Sequence, residues 1–532
     1  MPTTQDFSSM LLLLVFASLL PVIFLWKRWM GAGLRVPLPP GPRGLPIIGN
    51  LLDVPTTNME KKYRELNDEY GDVVYLNALG QPMLVLGTHA AAVDLLEKRS
   101  ALYSDRAYSP MVDLGGFDWV LTLLRYGSRW RRHRRMFHQY FNPNVVTKYR
   151  PVQRAGVAQF LSRLLSTPEE LREHIRHLFA ATIVRITYGF DVREKDDDYV
   201  QMAEKGIAAF SSLLVPGKYL VELFPALRHL PAWFPGCRFK REASDARAVV
   251  QGVCCVPWAR AITAMREGSS RASMASALLE RISSLAGEEA IEEEDIARNT
   301  VAVAYAAGAD TTLASIQAFF LAMALFPEAQ KKAQAELDAV VGSHRLPDFS
   351  DEPALPYVCA LVKECLRWHA VLPLAVPHRL IEDDNYRGYH IPKGTVVIPN
   401  VWAFSRNETR YVNADEFKPE RFLADGGCLD PEVLDPAEYA FGYGRRICPG
   451  RHFAQSSLFL IVASVLHTLS ISAPLDENGA PKKLEAKMTS GLISYPEPFE
   501  CDIKSRGIWV EGLVRSNAEN AEAREASEVI TQ

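Results

Sequence analysis

Residues 441–450 read FGYGRRICPG, one cysteine set among three glycines and two arginines. A structural thiol would sit among apolar residues, and a nucleophilic thiol would usually need a histidine partner. Cys448 has neither in its own loop. The apolar stretch 450–470 that follows it carries helical spacing, so the sulfur stands at the positive end of a helix, where a thiolate is favoured. Glycines at 444 and 450 allow backbone amides to approach that sulfur closely. A loop of this kind is built around an anion.

The loop fits F-x-x-G-x-R-x-C-x-G through Phe441, Gly444, Arg446, Cys448 and Gly450. On that pattern the sequence resembles the cytochrome P-450 family, the haem-thiolate monooxygenases. The resemblance implies haem b, with Cys448 as axial ligand of the iron, Arg446 on a haem propionate and Phe441 packed beside the thiolate. The thiolate would push electron density that helps O–O cleavage. It also implies a mainly α fold with minor β, the cytochrome P-450 fold, behind one N-terminal transmembrane helix.

Further segments resemble the same family in the same order. Residues 307–312 read AGADTT, with Ala307 and Thr311 four apart on one helical face. Oxygen activation needs protons delivered without flooding the site, and Asp310 with Thr311 forms a short carboxyl–hydroxyl relay. Glu364 and Arg367 make E-x-x-R, and FKPERF at 417–422 adds Arg421, an Arg–Glu–Arg cluster with a folding role. In YGSRWRRHRRMF (126–137), Trp130, Arg134 and Phe137 share a face, and the resemblance places Trp130 and Arg134 on a propionate. Arg129, Arg131, Arg132 and Arg135 point elsewhere as a basic patch suited to an acidic electron donor. Arg379, in VPHRL, falls where the family has another propionate partner, with His378 a core histidine beside it. The acids of GEEAIEEEDIARN (287–299) read as a solvated helix start.

The remaining chain sets the context. A net charge of -4 in 532 residues gives no support to nucleic-acid binding. Eight cysteines without C-x-x-C spacing point to free thiols in a reducing compartment. From Phe7 to Trp26 no residue is charged, and Lys27, Arg28 and Arg35 follow, which predicts an uncleaved anchor with the body cytosolic. The expected organisation is an anchor and basic flank over 1–36, a haem-thiolate domain over 37–505 with a proline-rich hinge at 37–50, and a polar, mobile tail over 506–532. Periodicity predicts long helices including 120–140, 152–189, 198–214, 245–266, 290–326 and 450–470, with β runs near 73–77, 82–86, 376–380 and 395–399. VPGKYLVELFPALRHLPAWFPG (215–236) resembles in position the loop through which membrane-bound members of the family dip into the bilayer. Its Trp, Phe, Lys and Arg suit an interfacial segment, with buried core as the equal alternative.

The phrases LPAWFPG and FGYGRRICPG look most like fungal natural-product enzymes of the family. The expectation is insertion of one oxygen atom of O2 into an apolar or aromatic small molecule (a terpenoid, polyketide or indole) at the endoplasmic reticulum membrane. NADPH would serve indirectly, through NADPH–cytochrome P-450 reductase, with cytochrome b5 as a second donor, because the chain lacks a G-x-G-x-x-G unit of its own. A haem-thiolate isomerase or ligand-binding protein is the alternative, and the Asp310–Thr311 pair argues against it. Expected pocket residues are Met111, Phe117, Trp119, Val371, Leu372, Leu374, Leu492 and Ile493.

Overall fold

A computed structural model describes residues 36–194, 197–213 and 218–530. The expected anchor, Phe7–Trp26, and nearly all of its basic flank lie outside the described residues. In chain order, α1 (Met59–Tyr70) leads into strands β1 (Val73–Ala78) and β2 (Gln81–Leu86). Then come α2 (Ser128–Phe141), α3 (Arg150–Ser166), α4 (Leu171–Tyr188), α5 (Asp198–Leu213), α6 (Arg238–Arg266) and α7 (Gly287–Leu325). The chain continues through α8 (Pro327–Val340), α9 (Pro356–Trp368), β3 (His378–Arg379) and β4 (Val396–Pro399). It closes with α10 (Arg451–Thr468), the pair β5 (Leu469–Ser472) and β6 (Asp502–Ser505), and α11 (Ile508–Ile530).

The main sheet has the order β1-β2-β4-β3, with β1 and β2 antiparallel, β2 and β4 parallel, and β3 antiparallel to β4. All four sequence-predicted β runs are present, and two small two-stranded sheets, Asp384–Tyr386 with Tyr389–Ile391 and β5 with β6, add to them in a mostly helical fold. The fold is therefore mainly α with minor sheet, as expected.

Helix α7 is the beam of the molecule. Its acids Glu288 and Glu289 lie in the first turn, where the helix dipole favours them. One apolar core takes Ile296 to Tyr305 from α7, and a second takes Leu313 to Ala324. Between the two, Ala306, Ala307, Asp310 and Thr311 belong to neither core's buried set. They face an internal cavity instead. The site sits where the two cores part.

Three expectations need correcting. The helix predicted over 120–140 begins only at Ser128. The carbonyls of Leu121, Thr122 and Leu124 accept from Arg446 and Arg106, so they are not free for helical bonds. The helix predicted over 152–189 is two helices, parted at Thr167–Pro168, where the proline can open a helix but not continue one. The tail predicted as mobile over 506–532 is instead helical from Ile508 and packs against α3, with Val510 and Val514 fully buried. Trp509, Val510, Leu513 and Val514 recur at three and four spacing, the signal that the tail's polar composition masked.

Candidate active site

The loop around Cys448 is closed by its own backbone: the Cys448 amide donates to the Phe441 carbonyl at 2.7 Å. Gly444 has φ +51, and a Cβ there would meet the Leu96 carbonyl oxygen at 2.4 Å, so only glycine fits. Its role is to let the loop press on the segment at 96, not to admit amides to the sulfur. Gly450 leads into α10, and an added Cβ would lie 4.0 Å from Cys448 Sγ, an ordinary contact. Burial pushes the Cys448 thiol up, while the Gly450 amide, Arg134 and Arg451 pull it down without prevailing. The amide at the start of α10 favours the anion, in the direction the sequence reading gave, against the cost of burial. A metal cation on the sulfur would complete the anion, because coordination deprotonates a thiol outright.

Around this loop lies a set of partly to fully buried cations. Arg446 donates from Nε to the Ser104 carbonyl and from Nη2 to that of Leu124, each at 2.7 Å, and its guanidinium carbon stands 4.5 Å from the Trp130 ring centre. Trp130 is buried on α2, and Arg134, one turn on, is half-buried and close enough to feel both Cys448 and Arg451. Burial, with Arg134 nearby, brings Arg446 down to about 10. Arg379 pairs through its backbone with Asp105, and its guanidinium lies beside Gly394. His378 is buried and donates from Nδ1 to the Tyr103 carbonyl at 2.7 Å, a satisfied core histidine.

Sequence reasoning missed Arg106. It is wholly buried and donates to the carbonyls of Thr122, Val376 and Pro377 at 3.0, 2.6 and 2.7 Å. Burial first, then Arg446, pushes its guanidinium well below the usual range. Its signal was the triplet Ser104-Asp105-Arg106, an acid and a cation adjacent in an otherwise unremarkable loop. Arg106, Arg134 and Arg446 stand against one buried acid, Asp105, whose Oδ1 already accepts the Tyr126 amide at 2.7 Å. So much buried positive charge calls for anions. Two carboxylates on a flat cofactor would answer it.

The cavity adjoins this cluster, since Thr122 and Val376 line it and also hold Arg106. Its other walls are apolar: Phe117, Trp119, Phe210, Val250, Leu372, Leu492 and Ile493 among them. Of the expected pocket residues, Phe117, Trp119, Leu372, Leu492 and Ile493 do line it. Met111 is instead in the α6-side core, Val371 spends its carbonyl on the Ser494 amide, and Leu374 packs near the sheet. The contributions of α5 and α6 were not foreseen, because their cavity-facing residues look like any apolar helix stripe.

Asp310 and Thr311 both face the cavity but do not bond each other. Thr311 Oγ1 donates to the Ala307 carbonyl at 3.1 Å, and Asp310 accepts from the Tyr495 hydroxyl. Burial raises the Asp310 carboxyl above its usual range, only partly offset by Tyr495. Among the described residues no group of three or more His, Cys, Asp or Glu could hold a metal ion. A lone thiolate such as Cys448 suits a metal carried within a cofactor that takes a single protein ligand.

The Arg–Glu–Arg cluster is formed as expected. Glu364 and Arg367 are 0% exposed, Arg367 donates to Glu364 at 2.7 and 2.8 Å, and Arg421 reaches the same carboxylate at 3.2 Å. The basic patch differs from the sequence reading. Arg129 pairs with Asp295 at 3.4 Å, and Arg132 pairs with Glu292 and Glu293. The acids of 287–299 thus tie α7 to α2 instead of only facing solvent. Arg131 and Arg445 flank the Tyr126 ring at 5.7 and 5.3 Å and remain exposed beside Arg135. In 215–236, Tyr219 and Val221 are buried, while Leu220, Phe224, Trp233 and Phe234 are exposed. Among the described residues two helices, α6 and α7, are long and apolar enough to cross a membrane, but 71% of the apolar window of α7 is inside the protein.

The sequence model of the cytochrome P450 family matches residues 39–501. The cytochrome P450 monooxygenase COX1 of Coprinopsis cinerea is 44% identical over 476 residues, covering 88% of this chain and 92% of that protein. The tryptamine 4-monooxygenase of Psilocybe cyanescens is 41% identical over 475 residues, with 88% and 92% covered. The cytochrome P450 monooxygenase claR of Ampulloclitocybe clavipes is 40% identical over 486 residues, with 90% and 89% covered.

Proposed function

The chain belongs to the cytochrome P450 family and is a monooxygenase, and from that premise we propose that it hydroxylates a neutral, apolar molecule of fungal secondary metabolism. The family implies haem held by a cysteine thiolate, and Cys448 is the residue assigned to the iron. Bound there, haem would supply the chemistry of dioxygen activation and oxygen-atom insertion. Arg106, Arg134, Arg379 and Arg446 would hold the propionates, with Trp130 stacked under Arg446 and Phe441 closing the thiolate loop. The observation that carries this reading is the excess of partly to fully buried arginines between the Cys448 loop and the cavity edge.

The chain's own work is selection and proton supply. Among the described residues that line the cavity the one charged side chain is Asp310, which accepts from Tyr495. That supports a terpenoid, polyketide or uncharged indole skeleton over a cationic amine, since an ammonium would compete with Tyr495 for that one carboxyl and lie otherwise against apolar walls. Asp310 and Thr311 would form the relay that passes protons into the cavity. One oxygen atom then enters the product and the other leaves as water. The two electrons come from NADPH through a separate reductase, with cytochrome b5 able to serve as second donor, docking on the exposed Arg131, Arg135 and Arg445. An N-terminal anchor would place the body on the cytosolic face of the endoplasmic reticulum, and the exposed Phe224, Trp233 and Phe234 suit contact with the bilayer.

Expression in yeast with a fungal reductase, under isotope-labelled dioxygen, tests the function. One labelled oxygen atom per product with matching NADPH use supports it. Product formed without NADPH or label would favour an isomerase.

A further inference from the structure

The relay does not end at α7. Asp310 is met from the other side by a turn near the C-terminal end of the domain, residues 489–495. Two bonds close that turn: Thr489 N donates to the Tyr495 carbonyl at 2.7 Å, and Tyr495 N donates to Thr489 Oγ1 at 3.0 Å. It is then tied to the segment after α9. Ser494 N donates to the Val371 carbonyl at 2.8 Å, and the buried His369 donates from Nε2 to the Ser494 carbonyl at 3.0 Å. Leu492 and Ile493 of the same turn line the cavity. The Tyr495 hydroxyl is thus delivered to Asp310 by a fixed frame.

We propose that Tyr495 is a positioning residue: by donating its hydroxyl hydrogen to Asp310 it holds that carboxyl at the cavity wall, oriented for exchange with Thr311. The proposal rests on the relay reading given above and adds a residue from a different part of the chain to it. A buried carboxylate with no donor would either take up a proton or turn toward the nearest cation. The cations that face Asp310 are Arg172 and Arg176 on α4, and the acid is Glu204 on α5, paired with Arg176 at 3.0 Å. Tyr495 is the group that competes with them for the carboxyl. Its own burial and the neighbouring Asp310 push the phenol far up, so it stays protonated and serves as a fixed donor.

Tyr495→Phe removes the donor and keeps the ring. Infrared difference titration of the Asp310 carboxyl, its band identified by loss in Asp310→Asn, reads the effect without turnover. Losing a hydrogen bond to a charged group should raise the carboxyl's proton affinity about tenfold or more. In turnover, the share of NADPH diverted to peroxide should rise, with the reduced carbon monoxide spectrum unchanged. Should Tyr495→Phe fail to fold, Thr489→Val, which loosens the same turn, should move the titration in the same direction. An Asp310 band that titrates identically in the wild type and the variant overturns the proposal. If Asp310→Asn and Thr311→Ala uncouple NADPH use while Tyr495→Phe changes neither readout, the tyrosine's role fails and the relay stands. If Asp310→Asn and Thr311→Ala both leave coupling intact, the relay reading itself fails, and the positioning role with it.

Discussion

Replacing Glu364 by alanine should cost the protein a large part of its stability without touching its chemistry. The carboxylate accepts two bonds from Arg367, one from Arg421 and one from the Lys418 amide, at 2.7, 2.8, 3.3 and 2.6 Å. Arg367 is itself 0% exposed, and its remaining hydrogens go to the carbonyls of Ser405, Ala414 and Glu416. Glu364→Ala therefore leaves a buried guanidinium with dipoles for company but no counter-charge. Breaking a buried pair on one side costs about 3–5 kcal/mol, against a total stability of about 5–15 kcal/mol for a folded protein. Glu364→Gln keeps the volume and one acceptor, so it should cost less. The assay is the urea midpoint at constant slope, followed by far-ultraviolet circular dichroism. Turnover per haem of the folded fraction should stay at the wild-type value. A loss below about 1 kcal/mol for Glu364→Ala, of the size expected for an exposed pair, would refute the reasoning. So would a selective fall in turnover at normal stability.

Two other perturbations separate surface from interior. Arg131→Glu with Arg445→Glu should slow reductase-driven turnover several-fold at low salt, spare peroxide-driven turnover and leave haem content alone; equal loss of both activities would put the docking site elsewhere. Acid should destabilise the fold through His369, which burial brings down to about 4 from 6.5. The folded chain leaves it neutral in that window while the unfolded chain protonates it, so stability falls as pH drops from about 6.5 toward 4. His369→Gln should flatten that part of the stability–pH curve, and an unchanged slope would contradict the assignment.

The parts of the site that are local in sequence were legible, and those assembled by the fold were not. Cys448, Phe441 and Arg446 sit in one ten-residue loop, and Trp130 with Arg134 sits on one turn of helix, so short motifs that resemble the family's were enough to single them out. Glu364 and Arg421 are 57 residues apart, yet both lie in recognisable short patterns. Arg106 has no such pattern of its own, and its burial depends on carbonyls at 122, 376 and 377 that only the fold brings together. Tyr495 was invisible for the same reason, its partner lying 185 residues away. The helix that replaced the expected mobile tail shows the opposite failure: a polar composition was read before the apolar spacing of Trp509, Val510, Leu513 and Val514. The pairing of Arg132 with Glu292 and Glu293 could not be read either, because charges on two helices reveal no distance.

The central claim is that Cys448 alone of the eight cysteines holds the haem iron. The carbon monoxide difference spectrum of the reduced protein tests it most directly. The wild type should show the strongly red-shifted Soret band of thiolate ligation, and Cys448→Ser should abolish it, while a control at a buried cysteine far from the loop, Cys254→Ser, retains it. Survival of the red-shifted band in Cys448→Ser would contradict the account.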